Sequence, residues 1–283
     1  MRKAIVLATI LVVAAAASTA AELKQATLEA YDKYRQATES RVAAELSSAG
    51  GFMSFDRLPA AERERFLARL RSGEIVIERA TAAAGQNIHL PGGLIHDWLA
   101  VVFIPHATLA DALRLAQDYD HHQRSFAPEV EQSRLLAHNG EDFKIFYRLR
   151  RTKVITVVLN TEHDVLYTPV DATHAYSRSY STRIAEVQNP GAADEREFAP
   201  GEGHGFLWRL DSYWRFEQAD GGVYVQCEAL SLSRDVPAGL GWMIGPFVEK
   251  IPRESLNATM QNTRKGIAQL VAARHAGGNN MNQ

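Results

Sequence analysis

Gly222-Val223-Tyr224-Val225-Gln226-Cys227-Glu228-Ala229-Leu230-Ser231-Leu232-Ser233-Arg234 reads as a strand. After a crossing punctuated by Pro and Gly, Pro252 heads a stretch in which Leu256, Met260, Ile267, Leu270 and Val271 recur on one side. Their spacing is close to the 3.6-residue helical period. A proline suits the first turn of a helix, where a missing N–H has no partner to lose. An amphipathic terminal helix that follows a run of strands must lay its apolar side on their sheet. Anything the chain holds is expected between those two surfaces.

Upstream, the strands follow one another with short turns. Val130–Ala137 and Phe143–Arg150 are joined through His138-Asn139-Gly140, and Lys153–Pro169 and Thr173–Gln188 through Val170-Asp171-Ala172. A polar loop, Asn189–Gly203, precedes Phe206–Glu217, and Ala219-Asp220-Gly221-Gly222 turns into the strand quoted first. Short turns between consecutive strands imply antiparallel neighbours. Before them, Leu94–Pro105 is apolar on both parities, as a strand covered on both sides should be. Thr108, with Asp111 three residues on, caps a helix that buries Leu109, Ala112, Leu113 and Ala116, and a short helix spans Asp120–Phe126.

The order is therefore strand, two short helices, six strands and one long helix. From Leu94 to Ala272 this resembles the START-like, polyketide-cyclase/Bet v 1-type superfamily. The carriers are Val102-Phe103-Ile104-Pro105 followed by a capped helix, Asp118-Tyr119-Asp120, Pro128-Glu129-Val130 and Tyr147-Arg148-Leu149-Arg150. Arg183-Ile184-Ala185-Glu186-Val187, Gly205-Phe206-Leu207-Trp208 and Pro252 complete the set. The resemblance implies an α+β helix-grip fold: a curved antiparallel sheet wrapped around a long C-terminal helix. It implies no catalytic motif. Residues 21–93 lie outside it and read as an N-terminal helical appendage with one strand, Glu74–Ala80, and a polar link, Gly85–Gly93. Glu22–Leu46 is a charged helix with a narrow stripe of Leu28, Tyr31, Val42 and Leu46, and Phe66, Leu67 and Leu70 mark a second helix. Residues 273–283 read as a disordered tail.

Arg2-Lys3, the apolar run Ala4–Ala17 and Ser18-Thr19-Ala20 have the form of a signal peptide over residues 1–20. An exported chain, periplasmic or secreted, with no stable membrane anchor after cleavage, is the expectation. The formal net charge is −2, and loss of Arg2 and Lys3 takes it to about −4. No basic run suggests nucleic acid. Cys227 is the single cysteine, so no internal disulfide forms, and its place between Val225 and Ala229 suits a buried small hydrophobe.

Strand parity selects the candidate site. Phe206, Trp208, Leu210, Ser212, Trp214 and Phe216 share one side of their strand, apolar with a polar point. This points to a pocket for a lipid-like or other hydrophobic small molecule, lined by Trp208, Ser212 and Trp214 with Met260 from the helix. The competing reading is a core filled by the same rings. Tyr176, Arg178, Tyr180 and Glu228 join the pocket if their faces point inward, and Arg178 and Glu228 would then pair. Parity leaves that face open on both strands. Those four residues are also the groups a cyclase- or hydrolase-type enzyme would use. A third reading is an interaction module that docks a protein through residues 22–46. No cofactor or metal motif is present: Asp118, Asp120, His121 and His122 fit a capping turn better than a metal cluster.

Overall fold

The structure, a computed structural model, describes residues 22–48, 51–80, 88–153, 155–235 and 241–280. The expected signal peptide lies outside the described residues. The strands are β1 Val76–Arg79, β2 Ile88–Leu90, β3 Gly93–Pro105, β4 Val130–Asn139, β5 Asp142–Thr152, β6 Thr156–Pro169, β7 His174–Gln188, β8 Arg196–Glu197, β9 Arg209–Ala219 and β10 Gly222–Arg234. The helices are α1 Gln25–Ser47, α2 Ala60–Arg71, α3 Leu109–Gln117, α4 His122–Ser125 and α5 Gly241–Asn280.

The sheet runs β1-β3-β10-β9-β7-β6-β5-β4, with β2 beside β3 and β8 beside β7, and its pairs are antiparallel. The hairpins hold where local chemistry favours them. Asp220 and Gly221 both take positive φ, 53° and 75°, the backbone that a tight two-residue hairpin turn needs. The Thr108 side chain accepts from Asp111 N while the Asp111 carboxylate accepts from Thr108 N, a closed capping box on α3. Register shifts at Val130/Gln132, Leu135/Ala137 and Glu162/His163 add the local twist of β-bulges. The result is the helix-grip arrangement, with α5 on the concave face.

The concave core is filled at one end. Ala100, Val102 and Ile104 of β3 and Val223, Val225 and Cys227 of β10 pack with Ala112 and Leu115 of α3 and with Met260, Ile267 and Val271 of α5. On the convex face, Met53, Phe55, Phe66, Leu67 and Leu70 close over Leu99, Val101, Phe103 and Tyr224.

Three boundaries differ from the sequence reading. Helix α5 begins at Gly241, so Pro252 lies within it rather than in its first turn. It also continues to Asn280, occupying 273–280 where a disordered tail is expected; Arg274 anchors it there through Asp111 Oδ2 (2.5 Å) and the His106 carbonyl (2.8 Å). Finally, the link Gly85–Gly93 contains strand β2, whose Ile88 pairs Ile95 of β3. Ladder bonding overrides the polar composition there.

Candidate functional site

At the other end of α5 the concave face is hollow. A cavity of about 790 Å³ lies between the sheet and the helix. Its floor follows from residue size. One row across the sheet reads Val165–Ser179–Ser212–Ala229–Trp98, each paired with the next. The three middle positions are small, so helix and sheet cannot meet there. Along β3 and β10 the change comes within a few residues: the pair Val102–Val225 lies in the filled core, Ala100–Cys227 stands at the boundary with Cys227 on the cavity, and Trp98–Ala229 and His96–Ser231 lie on the cavity. Ile145, Tyr147 and Leu149 of β5, Leu159, Val165 and Tyr167 of β6, and Leu256, Thr259 and Thr263 of α5 complete the walls.

The polar groups on this wall are neutral and mostly satisfied by one another. Tyr119 Oη and Tyr167 Oη are 2.9 Å apart, and Tyr167 donates to the Ala116 carbonyl at 2.9 Å. His122 bridges Tyr147 Oη (2.7 Å) and the Leu115 carbonyl (2.9 Å) through its two ring nitrogens. His163 reaches Thr161 Oγ1 at 3.0 Å and His96 reaches Ser233 Oγ at 3.1 Å. Burial lowers the pKa of each of the three histidines to about 4, with Arg79 adding to the effect on His96, so the imidazoles are uncharged at neutral pH. Charged groups gather where α5, the β5–β6 turn and residues 204–207 converge: Arg150, Arg151, Lys153 and Arg234, with Glu129 and Asp235. Glu186 ties that corner by accepting from His204 N (2.7 Å) and Phe206 N (2.8 Å).

Ser212 and Trp214 line the cavity, with the indole N–H of Trp214 donating to Ser212 Oγ at 3.1 Å. Phe206, Leu210 and Phe216 join them. Trp208 does not. Regular β9 starts only at Arg209, so alternation does not extend back to Trp208, and its ring packs on the convex side with Tyr31, Ile95, Leu230 and Leu232. Met260 is fully buried in the filled core, beyond the cavity wall. On β7, Ser177 and Ser179 face inward, which turns Tyr176, Arg178 and Tyr180 to the convex face. Arg178 is exposed there, its guanidinium 5.6 Å from the centre of the Tyr180 ring.

Glu228 is convex too, and its partner is not Arg178. The carboxylate is 1% exposed and paired with Arg41 of α1. It belongs to a charged layer between α1 and the sheet that also joins Tyr31 to Asp211 (2.9 Å), Tyr34 to Asp97 (2.9 Å) and Arg215 to Glu45 (2.6 Å). Burial raises the pKa of Glu228, and neighbouring Asp97 raises it further; burial likewise raises that of Asp97. The four residues that a cyclase- or hydrolase-type reading requires therefore sit outside the cavity. In the same layer Tyr31 and Val42, half of the expected docking stripe of residues 22–46, are buried against the sheet.

In sequence His163 reads as a lone histidine hydrogen-bonded in a strand or loop, which its contact with Thr161 bears out, but neither it nor His96, Tyr147 or Tyr167 stands out there as a wall residue. The signal was present in β6, where Leu159, Val165 and Tyr167 share the parity of His163. In β3 both parities are apolar, so nothing distinguished the face that carries His96.

No family model matches the chain, and no curated protein matches it in sequence. Solved structures are similar to it. A STAR-related lipid transfer protein from Xanthomonas axonopodis is 14% identical with a TM-score of 0.44, over 68% of this chain and 98% of that one. A START superfamily protein from Mycobacterium smegmatis is 13% identical with a TM-score of 0.42, over 62% and 99%. Human STARD10 is 10% identical with a TM-score of 0.43, over 77% and 84%. The likeness is one of fold.

Proposed function

We propose that this chain binds and carries a lipid-like or other hydrophobic small molecule in the cavity beneath α5, and that it does so outside the cytoplasm after removal of residues 1–20. The observation that carries the binding is the cavity itself: about 790 Å³, within the range of about 300–1,000 Å³ typical of ligand pockets. Its walls are aliphatic and aromatic side chains with neutral polar points. Burying roughly 400 Å² of apolar ligand surface there gains on the order of 10 kcal/mol before ordering costs. The charged cluster at Arg150, Arg151 and Lys153 suits the polar end of an amphipathic molecule.

The test uses the neutral dye N-phenyl-1-naphthylamine. Its fluorescence should rise saturably at one dye per chain and fall again on titration with octadecanoate. A signal that never saturates, or one that octadecanoate leaves unchanged, removes the binding reading. For the compartment, the mature N-terminus read from host-expressed protein should fall near Ala21; an intact Met1 in the cytoplasmic fraction contradicts export.

A further inference from the structure

One wall of the cavity ends in a charge. On β5, Ile145, Tyr147 and Leu149 alternate onto the concave face, and Arg151 is the next position of the same parity. Its cross-strand partner is Val157 of β6, which also lines the cavity. Its guanidinium reaches Glu254 of α5, the helix that covers this face. Arg151 therefore stands at the mouth, with Leu149 and Tyr147 leading inward from it. Arg150 has the opposite parity and is paired with Glu131.

The contacts that hold Arg151 are loose. Nη1 is 3.3 Å from Glu129 Oε1 and Nη2 is 3.4 Å from Glu254 Oε2, against about 2.7–2.9 Å for a close guanidinium–carboxylate pair. Both carboxylates reach solvent, at 30% and 35% exposure. Glu254 has a closer partner in Lys153 Nζ at 2.6 Å, and Lys153, more than Arg151, holds its carboxyl below the ordinary range. Exposed pairs of this kind contribute little, so Arg151 can exchange them for another anion at small cost. Its own side chain is 25% exposed, which leaves it within reach of an incoming group. The planar fork of a guanidinium meets a carboxylate or a phosphate with two parallel bonds.

We propose that the ligand is an amphipath with an anionic head, carboxylate or phosphate, and that Arg151 takes this head at the mouth while the tail runs inward over Leu149 and Tyr147. The proposal rests on the carrier reading and narrows it to anionic lipids. When the head arrives, Glu254 stays with Lys153 and Glu129 turns to solvent. Neither a hydroxyl nor an ammonium head can make this exchange. The first brings no charge to replace the two carboxylates, and the second is repelled by Arg151.

Displacement of N-phenyl-1-naphthylamine from the full mature chain at pH 8 tests this by setting one tail under different heads: dodecanoate, dodecyl phosphate, dodecan-1-ol and dodecyltrimethylammonium, each below its micelle concentration. At least one of the two anions should displace the dye at about tenfold lower concentration than the alcohol, the effect of one charge-assisted pair gained less two loose ones lost. The ammonium compound should be the weakest. Arg151→Gln should bring the anions level with the alcohol and leave the alcohol unchanged. Glu254→Gln, which removes one competitor for Arg151, should widen the preference, and it reports even where Arg151→Gln folds poorly. Acetate should displace nothing; displacement by acetate would mean a small-anion site indifferent to the tail, and overturns the proposal. So does equal displacement by anions and alcohol in the wild type, or a preference that either variant leaves unchanged, and in those cases the carrier reading stands. If no compound displaces the dye, the carrier reading falls together with this one.

Discussion

Glu228 and Asp97 share a buried site, and α1 brings Arg41 and Tyr34 to them while Arg215 and Glu45 stand alongside. The folded chain holds Glu228 protonated at pH values where the unfolded chain ionises it. Such a group contributes stability below its folded pKa that is lost as pH rises from the unfolded value, about 4.5, toward the folded one. Glu228→Gln keeps the shape and removes the titration. The urea midpoint of the wild type should fall between pH 5.5 and 8.5, and that of Glu228→Gln should fall less. Equal slopes would mean that the two carboxyls do not compete for a proton.

The wall histidines act in the opposite sense. Their folded pKa values of about 4 lie below the ordinary imidazole value of 6.5, so unfolding is favoured as pH drops through that window. His163→Phe should flatten the acid limb between about pH 6.5 and 4 in the same titration; an unchanged limb would place the imidazole in contact with solvent. None of this was legible in the strand pattern. On β10 the small set and the amphipathic set alternate cleanly, but alternation does not say which set faces α5. What decides is the charged face of α1, which covers Glu228 and Arg215 and leaves the concave side to Cys227, Ala229, Ser231 and Ser233.

Among the elements, α5 does two jobs along its length. Its early described side chains, Ser255, Leu256 and Thr259, line the cavity, and its later turns seal the core against α3. The seal is closest at Gly266, where an added Cβ would meet Leu115 Cδ1 and Cδ2 at 2.9 Å. Gly266→Leu should therefore cost about 1–3 kcal/mol by overpacking, read as a lower urea midpoint with an unchanged m-value. A midpoint equal to wild type would show that α3 and α5 have slack between them. The long strands and the pairing of consecutive ones were readable because turn chemistry such as Asp220-Gly221 and the Thr108–Asp111 box are local signals, whereas the β3–β10 pairing joins distant parts of the chain and was not. The start of α5 was not. Pro252 signals a first turn only when nothing longer-range extends the helix ahead of it. Trp208 failed for a related reason: parity holds only inside a regular strand, and the chain before Arg209 is not one.

At the scale of the molecule, residues 22–80 cover the convex face over β3, β10 and β9, with a charged layer under α1 and an apolar one under α2, while α5 closes only part of the concave side. Composition and period could show that a sheet and a helix would meet. Whether they would touch along their whole length depended on where small residues align across three neighbouring strands, which needs the register. The row Ser179–Ser212–Ala229 supplies that gap, and the account stands on its being a ligand site. The most direct measurement is native mass spectrometry of protein purified from its own host, comparing the wild type with Ala229→Phe, which places a ring in the middle of the row. The account predicts a co-purifying hydrophobic molecule on the wild type and its loss from a folded Ala229→Phe chain; a wild-type chain that arrives without any ligand, or a variant that keeps the same one, would contradict it.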